Sequence, residues 1–118
     1  MTVKDLAAYG FNIDEAMELC INDEDIYKEV LETALEEGRE KIVLMNDLMA
    51  KGDFDRYTIE AHGLKNAARQ IGCDELSEMA KASEFDGKAQ KFEDVKARHE
   101  SLMAKYQEAV DAMALLFE

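Results

Sequence analysis

The residues with the clearest chemical potential lie in one run, YTIEAHGLKNAARQIG, from Tyr57 to Gly72. At about 100° per residue, a helix over this run places Lys65 and Arg69 within about 60° of the direction of His62. The same arc contains three further side chains: Thr58, Ile59 and Asn66. The opposite arc is apolar and suited to burial, with Tyr57, Ala61, Leu64, Ala67, Ala68 and Ile71. A histidine beside two cations, on the exposed side of a packed helix, is placed to carry an anionic group.

Phosphoryl chemistry is the reaction that this combination suits best. An exposed neutral imidazole attacks phosphorus near neutral pH, where a large share of histidine side chains is unprotonated. The transition state of phosphoryl transfer is loose and spreads charge over three oxygens, so catalysis depends on positioning and charge compensation. Lys65 lies one turn from His62 and Arg69 two turns, so both are placed to supply that charge. Gly63 keeps the neighbourhood of the histidine uncrowded.

Other kinds of site are disfavoured by what the run lacks. A metal site needs a second histidine, cysteine or carboxylate at ligand spacing, whereas Glu60 points away from His62 and His99 lies on another predicted helix. A catalytic triad needs a nucleophile and an orienting carboxylate, and this run offers neither. We therefore expect neither a metal site nor a catalytic triad.

Composition defines the broad class of protein. The chain of 118 residues is long enough to bury a core without disulfides or metal, so we expect a single domain over residues 1–118. It contains no proline and is rich in strong helix formers, which predicts an all-helical fold. The net charge of -13 argues against nucleic acid or an anionic membrane surface as a partner, because binding to phosphates needs clustered Lys and Arg.

Cysteine usage and the amino-terminal residues bear on the compartment. Cys20 and Cys73 have no C-x-x-C spacing and occupy positions that suit small apolar residues, so we expect buried free thiols in a reducing cytoplasm. The first residues, MTVKDLAAYG, show no basic start followed by a long apolar stretch. No window of the chain approaches about 18 uninterrupted apolar residues. We expect a cytoplasmic protein that is neither exported nor inserted in a membrane.

Glycines and capping residues divide the chain into predicted helices. A short helix over Val3–Tyr9 ends at Gly10, and a second runs from a capping box at Asn12 and Glu15 to about Ile21. Four longer helices are predicted: from Asp23 to Gly52, from Phe54 to Ile71, from Asp74 to a turn at Asp86-Gly87, and from Phe92 to Phe117. The first of them would bend at Gly38. Short connections make successive helices antiparallel. We therefore predict an antiparallel up-and-down four-helix bundle with one or two short N-terminal helices packed across it.

The segment HGLKNAARQIG resembles the signature of histidine-containing phosphotransfer domains, which is H-x-L-K followed by small residues and an apolar-Gly ending. It is closest to the variant Y-T-I-x-x-H-x-L-K-x-x-A-R-x-I-G, which is matched by Tyr57, Thr58, Ile59, His62, Leu64, Lys65, Ala68, Arg69, Ile71 and Gly72. The likeness extends to LSEMAKASE, to the lead segment FNIDEAMELCINDEDIYKEVLETALEE and to HESLMAKY in the last helix. It covers nearly the whole chain.

The resemblance implies a role for each residue of the motif. His62 would accept a phosphoryl group from an aspartate of one receiver domain and pass it to another, with Lys65 assisting through its charge and Arg69 as a second cation. Residues around the histidine, Thr58, Ile59 and Gly63 among them, would form the docking surface. The partners would be receiver domains of response regulators and hybrid histidine kinases. Because the receiver brings the divalent metal, the resemblance implies a phosphocarrier with no cofactor or kinase activity of its own. We expect the protein to be a monomer.

Two positions depart from the family pattern. Asn66 stands where Gly or Ser is usual and lies directly above His62, so it would either hydrogen-bond the phosphoryl group or crowd a receiver. Ser83-Glu84 stands where Leu-Glu is common, which weakens the apolar stripe of that helix, and we expect Phe85 to fill the gap. Two other interpretations stay open: a helical interaction module that docks a receiver or kinase without phosphotransfer, and an unrelated helical bundle with an incidental match.

Overall fold

The computed structural model describes all 118 residues, and the chain is helical with no strands. A short 3-10 helix over Val3–Tyr9 is followed by five α-helices. Their bounds are α1 Ile13–Leu19, α2 Glu24–Lys51, α3 Phe54–Gln70, α4 Asp74–Lys88 and α5 Phe92–Phe117. These helices confirm the predicted all-helical class.

The four long helices form the predicted four-helix bundle. Around the bundle, α2 packs beside α3, α3 beside α4, α4 beside α5, and α5 beside α2. The short connections between successive helices make them antiparallel. One continuous core runs between them, and its largest fully buried side chains include Tyr27, Tyr57 and Met45. Each of the two free cysteines is buried.

The amino-terminal helices pack at the end of the bundle where α3 passes into α4. The backbone N–H of Asn12 donates to the carbonyl of Gly72 at 2.7 Å, and the Asn12 side chain donates to Asp74 at 3.1 Å. From the start of α2, the buried hydroxyl of Tyr27 donates to the carbonyl of Ile71 at 2.8 Å. These contacts fix the end of the helix that carries His62.

The ends of two helices differ from their predicted positions. The helix α1 stops at Leu19 rather than about Ile21, because Ile21 and Asn22 adopt left-handed backbone angles that no α-helix can contain. The helix α4 begins with Cys73, not Asp74, at its cap position, and it continues through the predicted turn at Asp86-Gly87 to Lys88. Gly87 is therefore a packing residue inside α4 and does not form a turn.

Glycine allows two close approaches between helices. A Cβ on Gly87 would overlap Thr58 Oγ1, so α4 lies directly against the helix that carries His62. A Cβ on Gly38 would lie 2.7 Å from Val110 Cγ2, so the absence of a side chain lets α5 approach α2. The prediction that α2 bends at Gly38 is replaced by this packing role, since α2 is one helix from Glu24 to Lys51.

The expectation for Phe85 is wrong. Its side chain is 67% exposed and points away from the core, while the neighbouring Ser83 is fully buried. The hydroxyl of Ser83 has no hydrogen-bond partner, so the gap in the apolar stripe of α4 is left to a small polar group. Phe85 is therefore a surface residue on the helix that faces His62.

Candidate functional site

The helix α3 buries one side and exposes His62 on the other, as its sequence predicts. The Asp53 side chain caps the helix by accepting from the backbone N–H of Arg56 at 3.2 Å. The predicted inner arc is buried at Tyr57, Ala61, Leu64, Ala68 and Ile71. The side chain of His62 is 54% exposed, so it is accessible from solvent on the opposite side.

Glu84 of α4 is the closest partner of His62. Its side chain is only 6% exposed, and its Oε2 forms a short hydrogen bond with His62 Nδ1. The other oxygen, Oε1, accepts from Lys65 Nζ at 2.7 Å. Lys88, one turn further along α4, lies 3.2 Å from Oε2. One buried carboxylate therefore holds the histidine and two lysines together.

These contacts keep Glu84 ionised. Burial alone would raise the pKa of its carboxyl, but the hydrogen bonds from Lys65, His62 and Lys88 outweigh burial and lower the pKa to about 2. At neutral pH the group is therefore a carboxylate, which accepts hydrogen bonds and does not donate them. The proton in the bond between His62 and Glu84 must belong to Nδ1.

The contact with Glu84 determines which nitrogen of His62 can react. With a proton on Nδ1, the lone pair of a neutral imidazole is on Nε2, which faces away from the carboxylate. Asn66 Nδ2 lies 3.3 Å from Nε2, at the position expected from its place one turn along the helix. The ammonium of Lys65 lies 3.4 Å from Nδ1, close enough for its charge to act on the ring although Glu84 takes its hydrogen bond. The arrangement presents a nucleophilic Nε2 with a cation nearby.

The remaining predicted site residues lie at different places around this centre. Ile59 is 65% exposed, and it is an apolar residue on the same side of α3 as His62. Thr58 is half-buried against α4, so it offers less surface than its helical position suggests. Its hydroxyl donates to the carbonyl of Phe54, one turn earlier in α3, at 2.7 Å. Gly63 faces α2, where Lys41 Nζ would lie 2.9 Å from an added Cβ.

Arg69 is exposed and makes neither an ion pair nor a hydrogen bond through its side chain. It lines a polar groove between α3 and α4 together with Lys65, Asn66 and Lys81. It has no contact with His62, from which it lies about two helical turns away. Arg69 therefore contributes positive charge to this side of the protein and no bond to the histidine.

The role of Glu84 was not predicted from the sequence, because an orienting carboxylate was considered only within the run that contains His62. Glu84 lies 22 residues after the histidine, on the next helix, so only the packing of α4 on α3 brings the two together. A signal was present: Glu84 is the acidic residue of the Leu-Glu pair common in the resembled family, and this chain keeps it while replacing the leucine with Ser83.

No cluster of three or more histidine, cysteine, aspartate or glutamate side chains is arranged to hold a metal ion. None of the helices combines the length and the apolar character that a membrane crossing requires. The centre of the site is the histidine with its buried carboxylate and two lysines.

A comparison with protein families identifies the family of the chain. The family model described as Hpt domain matches residues 29–115, so the chain belongs to the family of histidine-containing phosphotransfer domains. Hpt domains are phosphotransfer modules of two-component signalling, and they are phosphocarriers rather than kinases. No curated protein and no solved structure matches the chain. The 3-10 helix and α1 precede the matched region.

Proposed function

We propose that this protein is a phosphorelay intermediate in which His62 accepts a phosphoryl group from a receiver-domain aspartate and passes it to a second receiver. The observation that carries the proposal is the bond between Nδ1 and Glu84, which places the lone pair of the neutral ring on Nε2, away from the carboxylate. The family assignment supplies the class of partner, namely the receiver domains of response regulators and hybrid histidine kinases.

In the first transfer, the Nε2 lone pair attacks the phosphorus of the aspartyl phosphate. An N–P bond forms, the P–O bond to the aspartate breaks, and the aspartate leaves as a carboxylate with the electron pair. The imidazole keeps its Nδ1 proton and becomes positively charged, so the Glu84 carboxylate compensates a charge that appears during the reaction. In the second transfer, a carboxylate of the next receiver attacks the same phosphorus and the electron pair returns to Nε2.

Lys65 acts on the negative charge of the phosphoryl oxygens. Its ammonium is bound to Glu84 Oε1 at rest and lies one helical turn from His62, where it can approach phosphoryl oxygens on Nε2 by rotating its side chain. Arg69 adds positive potential from further along α3. Asn66, at 3.3 Å from Nε2, is placed to donate to a phosphoryl oxygen once its side chain turns from the ring.

The whole site comes from one chain, so a monomer is sufficient for transfer, and we place the carrier in the cytoplasm. The two buried thiols are consistent with a reducing compartment. Transfer needs no metal or cofactor from this chain, because its part consists of a nucleophile, a carboxylate and nearby cations.

Glu84→Gln should slow phosphoryl transfer to His62 by about 10- to 100-fold. The glutamine oxygen can still accept from Nδ1, so the change removes the charge that compensates the imidazolium and keeps the orientation of the ring. The measurement is single-turnover transfer from a phosphorylated receiver at saturating protein, with receiver affinity measured separately and expected to change little.

Glu75→Gln is the matched control, because Glu75 is also a carboxylate of α4 and is ion-paired with Lys105 at 3.0 Å, away from His62. We expect this variant to transfer at the wild-type rate. A Glu84→Gln variant as fast as the Glu75→Gln variant would contradict the role given to Glu84.

The proposed function is tested by incubating the protein with receiver domains that carry a labelled aspartyl phosphate. We expect label to appear on this protein within minutes, to be lost in acid and to survive base, as a phosphohistidine does and a phosphoserine does not. A protein that binds receivers but acquires no label would contradict the relay.

The contact between Asn66 and Nε2 favours a second function, in which the domain docks a receiver or kinase without accepting phosphate. An amide that stays on Nε2 would block the attacking lone pair. This alternative predicts receiver binding without labelling, and labelling that appears when Asn66 is replaced by glycine. Normal labelling of the wild-type protein excludes it.

A further inference from the structure

The exposed face of α4 carries an aromatic side chain next to the site. Phe85 is 67% exposed, more than any other aromatic residue of the chain, and it directly follows Glu84. A single exposed apolar residue is ordinary on a protein surface. The residues around this one make it unusual.

Phe85 lines an open groove of about 530 Å³ on the outer face of α4, bounded by Lys65 of α3 and Arg98 of α5. The groove is continuous with the site, because Lys65, Glu84 and Lys88 belong both to its wall and to the cluster that holds His62. Its far side is formed by Arg98 of α5, which is ion-paired with Asp86 at 2.9 Å. A partner placed over His62 on the α4 side therefore meets this groove first.

The groove is positive in a protein whose net charge is -13. Four cations line it, Lys65, Lys81, Lys88 and Arg98, against three carboxylates, Glu78, Glu84 and Asp86. Two of those carboxylates are buried beneath the cations, and Lys81 has no ion-pair partner. Glu78 is exposed among them, so the lining residues carry one net positive charge, and an aromatic ring lies beside the cations.

We propose that the receiver domain that phosphorylates His62 docks across this groove, with Phe85 as the apolar anchor and Lys81, Lys88 and Arg98 facing carboxylates of the receiver. The inference rests on the proposed function, which requires an acidic partner bearing an aspartyl phosphate at His62. A standard interface covers about 800 Å² per partner, a patch roughly 30 Å across. A receiver centred on His62 then spans from Ile59 on α3 to Phe85 on α4.

The proposal is tested by binding without transfer. The probe is a set of receiver domains encoded in the same genome and activated with beryllofluoride, which imitates an aspartyl phosphate, and the Kd of each is measured by calorimetry. For the tightest receiver, Phe85→Ser should raise the Kd about tenfold, as for an aromatic anchor at an interface. Lys81→Glu should raise it about fivefold and make binding less sensitive to salt.

Val43→Ser is the matched control. Val43 is a comparably exposed apolar residue, 69% exposed, on α2, and it points away from Lys41, the α2 residue next to Gly63. The Kd of Val43→Ser for the receiver should stay within twofold of the wild-type value. Thermal melts of all three variants should match the wild type, because the substituted side chains are exposed.

The outcomes separate docking from chemistry. Labelling with phosphoramidate, a small-molecule donor to histidine, needs no docking and should be unchanged in Phe85→Ser. An unchanged Kd in Phe85→Ser, or no receiver that binds at all, would overturn the docking proposal. If phosphoramidate does not label the wild-type protein while receiver affinity still depends on Phe85, the proposed relay is wrong and the docking proposal is supported.

Discussion

His62→Gln is expected to abolish receiver-dependent labelling, to below about 1% of the wild-type level. The amide nitrogen of glutamine has a delocalised lone pair and forms no N–P bond, whereas its N–H groups can still donate to Glu84. The variant therefore removes the nucleophile and retains a hydrogen bond to the buried carboxylate. The measurement is transfer of label from a phosphorylated receiver, with melting temperature as the check on folding.

The control is His99→Gln, because the chain has two histidines. Both nitrogens of His99 are engaged: Tyr57 donates its hydroxyl proton to Nδ1 at 2.8 Å, and Nε2 donates to Asn46 at 2.7 Å. Burial also lowers the pKa of His99, so it stays neutral within this network. We expect His99→Gln to label normally. Label that persists in His62→Gln would exclude His62 as the acceptor.

Gly72→Ala is expected to destabilise the protein by about 3 kcal/mol and to lower its melting temperature by roughly 10 °C. Gly72 has a backbone φ of 87°, a left-handed conformation that costs an alanine about 1–2 kcal/mol. An added Cβ would also lie 2.5 Å from the carbonyl oxygen of Asn12. That backbone cannot move aside freely, because the Asn12 N–H donates to the Gly72 carbonyl at 2.7 Å.

Gly10→Ala isolates the effect of the clash. Gly10 has nearly the same φ, 89°, but nothing lies within 4 Å of an added Cβ. This variant should lose about 1 kcal/mol, which is the cost of the backbone conformation alone. Thermal or urea unfolding of both variants gives the comparison. Equal stabilities would show that the backbone of Asn12 accommodates the added Cβ without cost, which would contradict the close approach described here.

The sequence predicts the helices well where the signals are local. Gly10, Gly52 and Gly72 each end a predicted helix and each adopts a left-handed angle, and α5 has the predicted bounds. The predicted turn at Asp86-Gly87 is wrong because the same residue types serve tertiary packing there, with Gly87 against Thr58. A glycine needed for a turn and a glycine needed for close approach look alike in sequence.

The site is predictable only along one helix. The positions of His62, Lys65 and Asn66 follow from helical periodicity, and both Lys65 and Asn66 lie within 3.4 Å of a ring nitrogen of His62. Glu84, which bonds to Nδ1 of His62, reaches the site through the packing of α4 on α3, so periodicity within α3 carries no information about it. The same holds for Phe85: the pattern assigns it to a gap in the core, and the rotation of α4 places it in solvent.

The most direct test of the account is to locate the phosphoryl group on the ring of His62. Protein labelled with 15N in its histidine rings is phosphorylated by a receiver, and the imidazole nitrogens are observed by long-range 1H–15N NMR. We expect phosphorus on Nε2 of His62 and a proton retained on Nδ1, where it is hydrogen-bonded to Glu84. Phosphorus on Nδ1, or an unmodified His62 in a protein that carries label, would contradict it.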